Sequence, residues 1–159
     1  MKKYNFLNSR EVKKLKEILV NSFGYGLKKD YAYLINENER VFIVNKDISR
    51  INLQNLLVDR MGLYFAEYKN TQVRLSKEGA QLLVREAKEN NQKVENLVEL
   101  SKEELKAYFT GQDLEKGIGG ENRLVIICYK DEVIGCAKYK DGKILNFLPK
   151  IHRGEVILS

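Results

Sequence analysis

The last third of the chain alternates short apolar segments with tight turns, a pattern that restricts the fold more than any other stretch. Residues 124–129 form a continuous apolar run, which predicts a strand buried on both faces. Residues 130–132 predict a turn, and residues 133–140 predict the return strand. Asp141 and Gly142 give a strong hairpin signal before a third strand at 144–148. Short strands joined by tight turns predict a small β-barrel.

Three helices are predicted from capping side chains that precede apolar residues at helical spacing. Asn8 with Glu11, and Ser101 with Glu104, have the spacing of a capping box. Ser76 predicts the start of a helix that continues to about residue 89. Two hairpins are expected at 31–44 and 62–75, a short helix or two at 47–58, and a closing strand at 156–158.

A polar segment at residues 89–93 predicts a boundary between domains 1–92 and 93–159, and the charge changes sign beside it. Residues 1–92 hold 17 Lys and Arg against 11 Asp and Glu, a net charge of +6. Residues 93–115 have a net charge of −3, and residues 116–159 have a net charge of +3. Basic regions of this kind attract phosphate backbones and anionic membranes.

The two cysteines, Cys128 and Cys136, lie in apolar strand sequence, so we expect buried free thiols and a reducing compartment. Whether they ever pair is left open. Residues 1–6 have no apolar core of signal-peptide length. No run approaches the roughly 20 apolar residues of a membrane span. We therefore expect a cytoplasmic protein without a membrane partner.

No catalytic constellation is visible in the sequence. His152 is the single histidine and has no Cys/His cluster with which to form a metal site or a triad. Residues 117–120 lack the Gly-Lys-Ser/Thr of a phosphate-binding loop. The acidic pairs fall on faces predicted to be exposed. We expect no enzyme, no metal and no cofactor.

The C-terminal segment resembles a PUA domain, the small pseudo-barrel named after pseudouridine synthases and archaeosine transglycosylases. The resemblance is carried by Tyr-Phe-Thr-Gly-Gln-Asp-Leu at 108–114, the strands at 125–129 and 133–138, and Phe-Leu-Pro-Lys at 147–150. The whole chain is similar in length and order to archaeal relatives of a PUA-containing biogenesis factor of the large ribosomal subunit. The sequence departs from those relatives at Ala137, where they carry Gly, and at 151–153, where one expected positive charge is missing.

The resemblance implies an α+β fold, in which an N-terminal α/β (pre-PUA) domain of antiparallel hairpins and helices precedes a PUA-type β pseudo-barrel. It also implies a non-enzymatic RNA-binding protein that assists rRNA processing and assembly of the large subunit. The expected partners are rRNA or pre-rRNA, with other ribosome-assembly proteins bound through the N-terminal domain.

Basic and stacking side chains in the PUA-like segment are the candidate RNA-binding residues, because cations bind phosphates and aromatic rings stack on unpaired bases. They are Lys116, Arg123, Lys138, Lys140, Lys150, His152 and Arg153. Gly111 is expected to have a backbone role, letting a helix end and RNA approach closely.

Two other functions remain open. In the first, the protein is an interaction adaptor, which exposed aromatic residues at Tyr64, Phe65 and Tyr68 would favour. In the second, it is an accessory subunit, or a detached targeting module, for an RNA-modifying enzyme. The sequence leaves the RNA target and the oligomeric state open.

Overall fold

The computed structural model describes residues 4–45 and 62–147. The chain divides into two compact units, Met1–Glu95 and Asn96–Ser159, so the division falls after residue 95, against a predicted boundary after residue 92. The described part holds three α-helices and two sheets, a mixed α+β fold as predicted. None of these helices is long and apolar enough to cross a membrane. The predictions for 47–58 and 156–158 lie outside the described residues.

The N-terminal unit contains a five-stranded antiparallel sheet with strand order β1-β2-β3-β4-β5. The strands are β1 (Tyr4–Phe6), β2 (Tyr31–Asn36), β3 (Arg40–Asn45), β4 (Leu63–Lys69) and β5 (Gln72–Leu75). Both predicted hairpins are confirmed. Strand β1 was not predicted, because three residues are too few to show an alternating pattern.

Helix α1 (Ser9–Phe23) begins with the predicted capping box. The amide of Glu11 donates to Asn8 Oδ1 at 2.9 Å, and the amide of Asn8 donates to Glu11 Oε1 at 3.0 Å. Leu15, Leu19 and Phe23, spaced four residues apart, form its buried face.

Helix α2 (Lys77–Glu89) begins at the cap residue Ser76 and lies against strand β4. The Ser76 hydroxyl accepts the amide of Gly79 at 2.9 Å, while the Ser76 amide donates to the carbonyl of Phe65 at 2.9 Å. A Cβ added to Gly79 would lie 2.0 Å from that carbonyl oxygen. The glycine inside this helix is therefore explained by the close approach of two backbones.

The loop between α1 and β2 is fixed by a buried carboxylate from α2. Glu86 is 7% exposed, and its oxygens accept the Tyr25 hydroxyl at 2.7 Å and the amides of Lys28 and Lys29 at 2.8 and 3.1 Å. Burial acts to raise the pKa of Glu86, but these hydrogen bonds and the charge of Lys16 outweigh it and lower the pKa. The three hydrogen bonds stabilise the buried charge of Glu86, a residue that the sequence analysis did not single out.

Tyr33 is a buried polar residue in the same core. Its ring meets Phe65 edge to face, with 6.4 Å between the ring centroids. Its hydroxyl has no hydrogen-bond partner among the described residues, and burial raises the pKa of Tyr33 well above its ordinary value. The hydroxyl is therefore neutral and unsatisfied.

Replacing Tyr33 by phenylalanine is expected to raise the free energy of unfolding by about 1 kcal/mol, because the substitution removes an unsatisfied buried hydroxyl and keeps the ring. Urea denaturation measures the change. Tyr25→Phe is the matched control, since its hydroxyl donates to Glu86 and accepts the side-chain amide of Asn90 at 2.8 Å. Tyr25→Phe should lower the free energy of unfolding by about 1.5–3 kcal/mol. A loss for Tyr33→Phe as well would contradict the prediction.

The C-terminal unit contains a four-stranded sheet with strand order β6-β7-β8-β9. Its strands are β6 (Leu97–Glu99), β7 (Arg123–Tyr129), β8 (Glu132–Lys140) and β9 (Lys143–Leu145). Strand β7 is central and has five consecutive buried residues, which confirms the predicted doubly buried strand. Strand β6 pairs with it in parallel, while the two hairpins that follow are antiparallel.

Helix α3 (Lys102–Phe109) covers one face of this sheet, and its Ser101–Glu104 capping box is confirmed. Leu105 and Tyr108 of the helix belong to one core with Val125, Ala137 and Ile144 of the sheet. The sheet does not close on itself within residues 96–147, so the pseudo-barrel stays a prediction.

Candidate nucleic-acid interface

Three lysines of the β8–β9 hairpin lie on one face of the C-terminal sheet. Lys138 and Lys140 are two residues apart on β8, so their side chains leave the strand on the same side. Lys143 of β9 is the register partner of Lys140 and therefore shares that side. We call Lys138, Lys140 and Lys143 the hairpin lysines. Lys138 and Lys140 are among the predicted RNA-binding residues, whereas the sequence analysis missed Lys143. The position of Lys143 opposite Lys140 follows from the tight turn at Asp141.

The charges of the hairpin lysines are available to a ligand. Within residues 62–147, neither Lys138 nor Lys140 forms an ion pair or a side-chain hydrogen bond. Lys143 lies 3.4 Å from Glu115, but both side chains are more than half exposed, and such pairs contribute little. Like charges directly opposite each other destabilise a sheet, so Lys140 and Lys143 repel each other in the free protein. A bound anion would relieve that repulsion.

Arg123 lies on the other face of the sheet, where its guanidinium lies 5.3 Å from the ring centroid of its register partner Tyr139. Its Nε donates to Asn96 Oδ1 at 3.0 Å, and one terminal nitrogen donates at 2.8 Å to the carbonyls of Gly119 and Glu121. The guanidinium therefore holds the glycine loop at 117–120 in place. Arg123 and the hairpin lysines therefore lie on opposite faces of the sheet, although Arg123, Lys138 and Lys140 were all predicted to bind RNA.

Lys116 is bound by an acidic residue of the same unit. Its ammonium lies 3.2 Å from the carboxylate of Glu104, which also accepts the amide of Ser101 at 2.8 Å. Burial acts to raise the pKa of Glu104, but the hydrogen bonds from Ser101 and Lys116 outweigh it and lower the pKa. Lys116 thus ties the loop that follows α3 to the beginning of that helix.

Gly111 follows α3 with a φ of 93°, a left-handed conformation that favours glycine at the end of a helix. The close approach of RNA to Gly111 stays a prediction. The side-chain amide of Asn146 donates to the carbonyls of Tyr108 and Gln112 on either side of Gly111, at 2.6 and 2.9 Å. The backbone amide of Asn146 donates to Asp113 Oδ1 at 2.7 Å. Asn146, one residue beyond β9, therefore fixes this turn next to the strand that carries Lys143. The sequence analysis missed Asn146, since no local motif marks a side chain that binds carbonyls more than 30 residues away.

The remaining predicted site residues, Lys150, His152 and Arg153, lie outside the described residues, and their roles stay predictions. Within residues 4–45 and 62–147, no group of three His, Cys, Asp or Glu side chains is placed to hold a metal ion. Cys128 and Cys136 are buried free thiols, as predicted.

Residues 95–153 match the family model described as the methyltransferase RsmF PUA domain. The C-terminal unit is a PUA domain. The match begins one residue before that unit and includes α3 and all four strands of its sheet. The N-terminal unit lies outside the match, apart from Glu95. No curated protein matches the chain.

Proposed function

We propose that this protein is a non-enzymatic RNA-binding protein whose PUA domain binds RNA phosphates through the hairpin lysines. The observation that carries the proposal is the placement of Lys138, Lys140 and Lys143 on one face at the end of a hairpin. Three ammonium groups on a short rigid hairpin suit a phosphate backbone, which offers negative charges at regular intervals. The PUA match supports RNA as the ligand.

Arg123 and Lys116 act in this proposal as structural supports. Their charged groups already have partners inside the unit, so transfer to a phosphate would cost those contacts. Lys150, His152 and Arg153 would extend the binding surface beyond the hairpin.

The cellular role we propose is assistance in rRNA processing and in assembly of the large ribosomal subunit, in the cytoplasm. The order of an α/β unit followed by a PUA domain supports it, since this is the layout of the archaeal biogenesis-factor relatives that the chain resembles. Pre-rRNA would be the RNA partner, and the N-terminal unit would bind other assembly proteins.

An accessory RNA-targeting role for an RNA-modifying enzyme is the alternative, and the family description favours it because it names a methyltransferase. Stimulation of an rRNA methyltransferase in trans would support this role over the first. The interaction adaptor has less support from the described residues: Phe65 is fully buried, Tyr64 and Tyr68 are half-buried, and Arg40 lies 5.5 Å from the ring centroid of Tyr64.

Binding of a fluorescent single-stranded RNA by the full chain, measured by anisotropy at several salt concentrations, tests the proposal. The three hairpin lysines alone contribute about −2 to the slope of log affinity against log salt, or about a 20-fold loss between about 50 and 200 mM, and further phosphate contacts would make the slope steeper. A methylphosphonate oligonucleotide of the same sequence, which lacks the backbone charge, is the control and should bind weakly at every salt concentration. An affinity for the RNA that does not change with salt would contradict the phosphate contacts.

A further inference from the structure

We propose that the loop between α1 and β2 is a second phosphate-binding site, formed by Lys16, Lys28 and Lys29 of the N-terminal unit. The inference rests on the proposed RNA-binding function and extends it to the unit that the family match leaves out. We call these three residues the loop lysines.

The backbone of this loop is held by a carboxylate of the protein itself. The successive amides of Lys28 and Lys29 both donate to the carboxylate of Glu86. Because Glu86 already occupies these amides, an external anion has to bind the side chains instead. Both side chains are exposed, and their ammonium groups lie 5.9 and 5.6 Å from the ring centroids of Tyr25 and Tyr31.

Lys16 brings a third positive charge to the same place. A Cβ added to Gly26 of the loop would lie 3.6 Å from Lys16 Cβ, so this part of the loop packs against α1 near Lys16. Four carboxylates lie near the loop: Glu86, which is satisfied by three hydrogen bonds, the exposed Asp30, Glu89, which acts on Tyr25, and Glu95, which lies beside Gly24. Among the described residues, Lys28 and Lys29 form no ion pair with any of them, so their charges stay available to an anion.

The chemistry of the loop favours a nucleic acid over an acidic protein. Each of the two exposed lysines lies beside a tyrosine ring, and the ring of Tyr31 is half-exposed. A cation next to an aromatic face matches a nucleotide, which presents a phosphate and a base that can stack. The predicted N-terminal domain, residues 1–92, also carries a net charge of +6, twice the +3 of residues 116–159.

The test compares Lys28→Ala/Lys29→Ala with the wild-type full chain, using the fluorescent single-stranded RNA. Each lost phosphate contact makes the slope of log affinity against log salt shallower by about 0.7. Two lost contacts therefore reduce the slope by about 1.4 and weaken RNA binding about 25-fold near 0.1 M salt. Both residues are exposed, and the variant should keep the wild-type unfolding temperature.

The control removes two exposed lysines from the same unit by Lys69→Ala/Lys77→Ala, and it should change the affinity less than about 3-fold. An equal loss in both variants would show a general charge effect and overturn the inference. Unchanged RNA binding with weakened binding of a polyglutamate peptide would identify a protein-docking surface and also overturn it. If Lys28→Ala/Lys29→Ala binds RNA normally while loss of the hairpin lysines abolishes binding, this inference fails and the proposed function stands. If neither set of lysines affects RNA binding, both fail.

Discussion

Gly79→Ala is expected to lower the free energy of unfolding by about 3 kcal/mol or more. The new methyl carbon would lie 2.0 Å from the Phe65 carbonyl oxygen and 2.9 Å from its carbon. Those atoms belong to the backbone of strand β4, so no side-chain rotation can make room. Helix α2 would have to move away from the sheet, at a cost typical of severe overpacking.

The sign of this result separates packing from helix propensity. In a helix, alanine is normally about 0.5–1 kcal/mol more favourable than glycine, so propensity alone predicts that Gly79→Ala stabilises the protein. Chemical denaturation of both proteins measures the difference. Gly117→Ala is the control, because nothing lies within 4 Å of a Cβ added there, and its effect should stay within about 0.5 kcal/mol. A Gly79→Ala protein as stable as the wild type would contradict the close approach of α2 and β4.

Loss of the hairpin lysines is expected to weaken RNA binding about 100-fold near 0.1 M salt. The variant is Lys138→Gln/Lys140→Gln/Lys143→Gln, which removes the charges and keeps polar side chains of similar size. Three phosphate contacts contribute about 0.7 each to the slope of log affinity against log salt, so their loss changes the slope by about 2. At 0.1 M salt this change corresponds to the roughly 100-fold loss of affinity. Because phosphate contacts do not read the sequence, all single-stranded RNAs should lose affinity by a similar factor.

Lys102→Gln/Lys106→Gln/Lys130→Gln is the matched control for the hairpin lysines. It removes three positive charges from exposed positions of the same unit, two on α3 and one on the β7–β8 turn. The control should keep most of the affinity, because unit charges that do not touch RNA act only through a screened field. A similar loss in both triple variants would place the RNA elsewhere or assign binding to net charge alone.

The sequence predicted best those elements whose signals are local. Capping boxes at Asn8 and Ser101 fixed two helix starts, because the cap and its glutamate lie within one turn. The turns at 130–131 and 141–142 fixed the strands of the PUA sheet, since paired residues with positive φ determine a hairpin register. The parallel pairing of strand β6 with β7 was not predicted, because α3 and the glycine loop separate the two strands in the sequence.

The parts of the candidate site that escaped prediction depend on contacts between distant segments. Glu86 follows Leu82 by four residues and Leu83 by three, so it falls on the buried stripe of α2, and this spacing was a usable signal. Its partners in the loop 58 residues earlier carry no such signal. Arg123 was predicted to bind RNA because its positive charge is visible in the sequence. The sequence does not show that its guanidinium donates to carbonyls of the glycine loop.

Asn96 sets the point at which the PUA domain can be separated from the rest of the chain. Its carbonyl accepts the amide of Ile126 at 2.8 Å, and its side chain accepts Arg123. A fragment cut at the beginning of α3 would lose these contacts and strand β6, leaving the central strand with an open edge that pairs readily with other molecules. Such a fragment would be prone to self-association, and apparent RNA binding by it would partly reflect aggregates. An excised domain suitable for titration or crystallisation therefore has to include residue 96 and the strand after it.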